Sequence, residues 1–220
     1  MKINDYSPIA IFTYNRPNHL QKLLYSLSKN EEIKYSDVYF FVDVDINSKA
    51  DEEVIKLINK NWNFKSLTLS VNDENYGVRK NIVNGINEVL SHHSSIIVLE
   101  EDLEVSEYFL NFMNRGINFY KDDPKVWQIS GYSLDTLLNI KNKAYVSSQL
   151  DCWGWATWSD RWNKFEKNFE NKIKKLGDES INKFNLDKFN KLNYRQLELN
   201  EENVINTWAI FFNHKDFSRI

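Results

Sequence analysis

Two acidic clusters in the sequence could do chemistry. Asp43 and Asp45 follow the apolar run Tyr39-Phe40-Phe41-Val42, and Glu100, Glu101, Asp102 and Glu104 follow Ile96-Ile97-Val98-Leu99. Three consecutive carboxylates at the end of a buried strand repel one another and destabilise the fold unless a cation is present. A hard divalent ion, Mn²⁺ or Mg²⁺, is the natural counter-charge, because it takes oxygen ligands and keeps water or substrate phosphate in its remaining positions. The same acids could instead form a solvated loop that favours the N-terminus of a helix beginning near Ser106. Position alone leaves both readings open.

The tryptophans form the second concentration. Four of the seven fall at Trp153, Trp155, Trp158 and Trp162. The spacing of 3 and 4 from Trp155 predicts one helical face packed into a core, while Trp153 and Gly154 precede that helix and could line a pocket. An indole face stacks well on the apolar face of a sugar ring. Other chemistries find little support. His92 and His93 are adjacent and so point apart on a helix, and His19 and His214 have no ligand partner nearby. Cys152 has no neighbouring base, there is no G-x-S-x-G elbow, and no Walker or G-x-G-x-x-G loop occurs among the six glycines. The run Asp43-Val44-Asp45-Ile46-Asn47 resembles the D-x-D-x-[TV] loop of haloacid-dehalogenase-type phosphatases. Its fifth position is Asn, however, and it follows the second strand rather than the first.

These groups need elements to position them. Pro8 to Thr13 reads as a buried strand; Pro17 then stands where a first helical turn tolerates proline, and Leu20, Leu23, Leu24 and Leu27 recur at helical spacing. The rhythm continues with a strand over 37–42, a helix through Val54, Ile55, Leu57 and Ile58, and a strand over 65–71. A helix through Ile82, Val83, Ile86, Val89 and Leu90 follows, then a strand over 96–99. Next come a long amphipathic helix from Val105 to Tyr120 and a short strand over 126–130. Strands alternating with helices predict an α/β fold with a mostly parallel central sheet flanked by helices. Ligands of such sheets collect at the carboxyl ends of the strands, where both acidic clusters stand. Beyond residue 131 a strand is expected over 144–148, helix over 164–202, and a last apolar run over 204–212. With no second independent core legible, the expectation is one domain over 1–220, with an acceptor-side elaboration over 132–220.

Composition narrows the class. A chain of 220 residues, 42% hydrophobic and with one cysteine, can bury a core without disulfides or structural metal. Its net charge of −3 supplies no field for nucleic acid. The start, Met1-Lys2-Ile3-Asn4-Asp5, lacks the apolar core of a signal peptide, and no apolar run is long enough to span a bilayer. The expectation is a cytoplasmic protein with no transmembrane segment, able to associate peripherally with the inner face of the membrane.

Taken together, PIAIFTYNRPNHL, NDENYGVRKNIVNGINEVL, VLEEDLEVSEYFLNFMN, VWQISGYS and CWGWATWSDRW resemble bacterial glycosyltransferases of the GT-A fold. The branch is the one related to the N-acetylglucosaminyltransferase I type. The resemblance implies a GT-A nucleotide-diphospho-sugar transferase fold, with residues 1–131 binding the donor. It places Thr13, Asn15 and Arg16 at the nucleotide, Asp43 on the base or ribose, and Asn75, Gly77 and Arg79 on the donor loop. Glu100 and Glu101 would lie by the ribose or sugar, with Asp102 the principal carboxylate on Mn²⁺ or Mg²⁺. Trp153, Gly154 and Trp155 would border the transferred sugar and the acceptor.

Two positions depart from the family pattern. An inverting transferase needs a base for the acceptor hydroxyl, and relatives place an acid before the tryptophan of a late D-S-W-A-I-R-W-like segment. Here that acid is replaced by Asn206 in Val204-Ile205-Asn206-Thr207-Trp208-Ala209-Ile210. Relatives also run on through a Gly-rich segment with a histidine, whereas this sequence stops at Ile220. Glu201, Glu202 or Asp151 would then serve as base. The implied activity is metal-dependent transfer of a sugar from a nucleoside diphosphate donor, UDP-sugar favoured, to a saccharide or lipid-linked saccharide acceptor in surface polysaccharide or lipooligosaccharide synthesis. The alternative is a truncated domain that binds the donor without transferring it. A nucleotidyltransferase on the same sheet would carry a Gly-rich, Arg-containing first loop, and Tyr14-Asn15-Arg16-Pro17 stands there instead.

Overall fold

The computed structural model describes residues 5–47, 49–132, 144–147, 151–164, 192–202, 204–205 and 207–209. The chain packs as two compact units, 1–161 and 162–220. The first unit contains a six-stranded sheet in the order β3-β2-β1-β4-β6-β5, with β1 Ile9–Thr13, β2 Asp37–Val42, β3 Ser66–Val71, β4 Ser95–Glu100, β5 Ile129–Ser130 and β6 Trp155–Trp158. β1 pairs in parallel with β2 and β4, and β2 with β3; β6 runs antiparallel between β4 and β5.

Local sequence explains the elements. All five residues of β1 are buried, as expected of a parallel strand covered on both faces. In α1, Pro17–Leu27, proline opens the helix and Leu20, Leu23, Leu24 and Leu27 form its buried stripe. The Asp51 carboxylate caps α2, Glu52–Ile58, by accepting from the N–H groups of Glu53 at 2.9 Å and Val54 at 3.1 Å. In α3, Gly77–His92, buried Ile82, Ile86, Val89 and Leu90 face the sheet; in α4, Phe109–Tyr120, buried Phe109, Leu110, Met113 and Ile117 do the same.

Several expectations change. The tryptophan segment is a strand where a helix was predicted. Trp155, Ala156, Thr157 and Trp158 are all buried because β6 is sandwiched between β4 and β5 with both faces covered. The aromatic and β-branched content of W-A-T-W suits a strand, and the helical turn α5, Ser159–Trp162, starts only afterwards. The long amphipathic helix begins at Phe109, not Val105, and the strand expected over 126–130 is formed by Ile129 and Ser130 alone. Residues 144–147 are irregular rather than a strand. Within the expected helix over 164–202, the described part is α6, Leu192–Glu201; residues 165–191, Ser148, Asn206, 210–212 and His214 lie outside the described residues. In this second unit Asn200 closes α6, donating to Thr207 Oγ1 and accepting from the Thr207 N–H, each at 2.9 Å. Among the described residues no helix is long and apolar enough to cross a membrane.

One packing contact fixes how α3 sits on the sheet. Phe12 and Phe41 stack with centroids 5.1 Å apart, and Gly85 lies directly against them, where a Cβ would stand 2.5 Å from the Phe12 ring and 2.8 Å from the Phe41 ring. Gly85→Ala gains about 1 kcal/mol of helix propensity, yet overpacking this contact costs roughly 1–3 kcal/mol. A net loss of stability is expected in urea unfolding, against the gain that an unconstrained helical glycine would give.

Candidate active site

The strand order reverses at β1, with β2 and β3 on one side and β4 on the other, so the topological switch point at which ligands of such sheets collect lies outside the carboxyl ends of β1 and β4. Arg16, just past β1, spans the two strand ends. Its Nε donates to Glu101 Oε1 at 2.8 Å and its Nη1 to Asp102 Oδ2 at 3.1 Å. Glu101 is 7% exposed in its side chain while Asp102 is 43% exposed, so the first carboxylate anchors the pair and the second faces solvent. Burial lowers the Arg16 guanidinium, but its bonds to the two acids outweigh this and leave it raised above its ordinary value.

Glu100 stands beside this cluster and forms no ion pair among the described residues. Burial first, and then the charges of Asp102 and Glu101, push its carboxyl up to about 7. Beside it, the Cys152 thiol is pushed up to about 12 by burial and by the charges of Glu100 and Asp151, so it is no nucleophile at neutral pH. Thr13, at the end of β1, is 3% exposed, and its Oγ1 has no hydrogen-bond partner among the described residues. Asn15 is exposed in the loop that follows.

The neighbouring strand end is organised by Asp43. Its carboxylate is 5% exposed and accepts from the backbone N–H groups of Val44 at 3.1 Å, Tyr76 at 2.9 Å and Gly77 at 2.8 Å, and from Asn72 Nδ2 at 2.9 Å. Asn72 Nδ2 also donates to Asn81 Oδ1 at 3.0 Å, and Asn75 Nδ2 donates to Val44 O at 2.6 Å. Gly77 has φ +68° with open space where a Cβ would stand, so it is needed for backbone conformation rather than for room. The residues expected to contact the donor therefore first build the loop that would hold it. Arg79, in the first turn of α3, is partly buried, which lowers its guanidinium below the usual value.

Because β6 runs antiparallel to β4, residues 151–154 arrive at the same carboxyl end. Trp153 is 51% exposed and packs edge-on against Tyr132, with centroids 4.6 Å apart. Trp155 is fully buried and Gly154 is buried, so of the three residues expected to border the sugar only Trp153 presents an exposed surface, beside Tyr132, which was not among the expected residues. The only sequence signal for Tyr132 is its place after the short strand in ISGYS. Gly154, at φ +71°, accepts the Gly131 N–H at 2.7 Å, and this pair of glycines lets two segments cross over Phe109. Asp151 exchanges bonds with Gln128 through its backbone and takes the Trp153 N–H on Oδ1 at 3.1 Å. Burial raises its carboxyl above the ordinary value despite those backbone donors. Glu202 belongs to the second unit, is exposed, and lies 3.5 Å from Arg195. Of the described histidines, His93 Nε2 pairs with the Tyr39 hydroxyl at 2.9 Å, and His19 and His92 are exposed.

Among the described residues no three acidic, His or Cys side chains converge as a preformed metal cage. The donor set nevertheless fits a hard cation that arrives with phosphate, since Mg²⁺-like ions bind through one or two carboxylates and complete their shell with phosphate oxygens. Asp102 is the accessible carboxylate for this, and Arg16 supplies the local positive charge.

A pH dependence follows from Glu100. The folded state holds this proton more tightly than the unfolded chain, so stability falls as pH rises from the ordinary carboxylate range through about 7. In EDTA, Glu100→Gln should match the parent near pH 4 and exceed its stability at pH 8 by on the order of 3 kcal/mol. Thermal unfolding at the two pH values checks this.

No protein-family model matches the sequence, and no curated protein matches it. Among solved structures, the mannosyltransferase PcManGT from Pyrobaculum calidifontis, in complex with GDP-Man and Mn²⁺, is similar with a TM-score of 0.53 at 10% identity, over 98% of this chain and 71% of that one. A putative glucose-1-phosphate thymidylyltransferase from Bacillus anthracis, in complex with a sucrose, gives 0.46 at 13% identity over 93% and 98%. S. aureus TarS 1-349 in complex with UDP-GlcNAc gives 0.41 at 16% identity over 52% and 32%, so the match spans about a third of the TarS fragment. The mostly parallel sheet flanked by helices is thus the α/β fold of GT-A nucleotide-diphospho-sugar transferases.

Proposed function

We propose that the protein is a metal-dependent glycosyltransferase that takes a sugar from a nucleoside diphosphate donor, a UDP-sugar by its motif resemblance, and passes it with inversion to a saccharide or lipid-linked saccharide acceptor. The observation that carries this reading is the charge cluster at the β1–β4 switch point, where Arg16, Glu101 and Asp102 meet beside the Asp43-held loop. A neighbour with a TM-score of 0.53 is in complex with GDP-Man and Mn²⁺, which supports a nucleotide-sugar donor and a divalent ion here. In this reading residues 1–131 serve the donor and residues 132–220 the acceptor, in surface polysaccharide or lipooligosaccharide synthesis at the cytoplasmic face of a membrane.

Each group has a task the geometry suits. Asp102 would hold Mn²⁺ or Mg²⁺ together with the donor diphosphate; what a bound ion supplies is stabilisation of the charge that develops on the leaving diphosphate. Arg16, released from Asp102 while still anchored by Glu101, would contact the same phosphates. Thr13 Oγ1, buried and without a partner among the described residues, would meet the nucleotide. The Trp153 and Tyr132 rings would stack on a sugar.

For the base that takes the acceptor proton, Asp151 is favoured over Glu202. Asp151 lies at the carboxyl end of the sheet, and its raised carboxyl is the stronger base. Glu202 is paired with Arg195 in the second unit.

Two variants separate the roles. Asp102→Ala should abolish the Mn²⁺-dependent thermal stabilisation by a UDP- or GDP-sugar that the parent shows, about 2.7 kcal/mol at 100 times Kd. Unchanged stabilisation would remove Asp102 from the metal site. Asp151→Asn should keep donor binding and lose roughly 10²–10⁴-fold in kcat, the usual contribution of a general base. A parent chain that binds the donor without transferring sugar to any acceptor would favour the binding-only alternative.

A further inference from the structure

We propose that β3 is a dimerisation edge, at which two copies of this chain pair their β3 strands antiparallel about a twofold axis at Thr68. This is independent of the transferase reading, since among the described residues β3 ends the sheet on the side away from β4.

The backbone sets which groups are available. Asn72 donates its N–H to Val42 O at 3.0 Å, and β3 pairs with β2 in the register Val38↔Leu67, Tyr39↔Thr68 and Phe40↔Leu69. In a parallel ladder alternate residues turn both backbone groups to the same neighbour. Ser66, Thr68 and Ser70 therefore bond to β2, and Leu67, Leu69 and Val71 turn their N–H and C=O groups outward. Such an edge is a template for another strand unless it is blunted by charge, proline or a bulge. Ser66–Val71 contains neither charge nor proline. Leu67 and Val71 are 39% and 46% exposed, and Thr68 is exposed.

The side chains select a second copy as the occupant. Ser66-Leu67-Thr68-Leu69-Ser70 reads identically in both directions, so a twofold axis at Thr68 overlaps this segment of each copy in full. Leu67 of each copy then stands opposite Leu69 of the other. These are outward-facing residues on both sides, so each pair exchanges both of its backbone bonds. Thr68 meets Thr68 of the other copy as the closer, non-hydrogen-bonded pair, a favourable cross-strand match. The flanking charges agree with this direction. Lys65 and Glu74 pair within the chain with Asp37 and Lys80, which leaves Lys60 before β3 and Asp73 after it, so antiparallel copies set a basic end against an acidic end. Parallel copies would set like against like. The result is an isologous interface that continues both sheets into one.

The test is the mass of the 220-residue chain in solution, by light scattering under reducing conditions across the micromolar range. The expected value is twice the 26.2 kDa chain mass. Thr68→Lys and Thr68→Glu, exposed substitutions that place like charges at the axis, should each give the single-chain mass, and an equimolar mixture should restore the doubled mass as a heterodimer. Leu67→Pro removes an N–H that faces away from β2, together with the Leu67 side chain of the proposed pair, and proline is tolerated at such an edge position, so it should also give the single-chain mass with the circular dichroism of the parent. A parent at the single-chain mass throughout would overturn the proposal, as would Thr68→Lys or Leu67→Pro remaining dimeric, or a mixture that does not re-associate.

Discussion

The Asp43 carboxylate is buried at the end of β2 and surrounded by donors, and much of the first unit's carboxyl edge depends on it. Three backbone N–H groups and the Asn72 amide point at it, joining the end of β2 to the loop before α3 and to the first residue of that helix. Hydrogen bonds to a charged group contribute roughly 1.5–3 kcal/mol each in favourable settings. A buried carboxylate without them would be strongly destabilising. Gly77 can turn into α3 at φ +68° with its N–H aimed back at this carboxylate. The loop before α3 is therefore preorganised by the same acid that sequence resemblance would assign to the nucleotide.

A second electrostatic constraint operates one strand away. The acids at Glu100, Glu101 and Asp102 cannot all be charged side by side without help, and two of them share the Arg16 guanidinium. Glu100 makes no such bond, and burial first, then the charges of Asp102 and Glu101, raises its carboxyl against the lowering effect of Arg16. A site with this balance is receptive to added positive charge at Asp102, its most exposed acid. Phosphate would in turn find Arg16 still anchored through Glu101. Preorganised charges of this kind lower a barrier without reorganising when the bond breaks.

Much of this could be read from the residues. The alternation of apolar runs with leucine and isoleucine stripes defines β1, β2, β4, α1, α2 and α3, because covered parallel strands and amphipathic helices leave strong periodic signals. The acids stand out because they follow buried strands. Other features leave no such trace. Trp155 and Trp158 at a spacing of 3 mimic a helical stripe, and only the pairing of β6 with β4 decides for a strand. Gly85 resembles any helical glycine until the Phe12–Phe41 stack is beneath it. The amide chain through Asn72 and Asn81 and the Tyr132–Trp153 contact arise between residues distant in sequence, and neither has a local motif.

The most direct test of the donor site is a crystal structure of the chain with Mn²⁺ and a nucleoside diphosphate. The diphosphate is expected at the β1–β4 switch point, with Asp102 on the metal, the Arg16–Asp102 bond opened, the Arg16–Glu101 bond kept, and the Asp43 contacts to Tyr76 and Gly77 intact. A nucleotide bound away from this switch point, or bound there with Arg16 still on Asp102 and no metal at that carboxylate, would contradict the account.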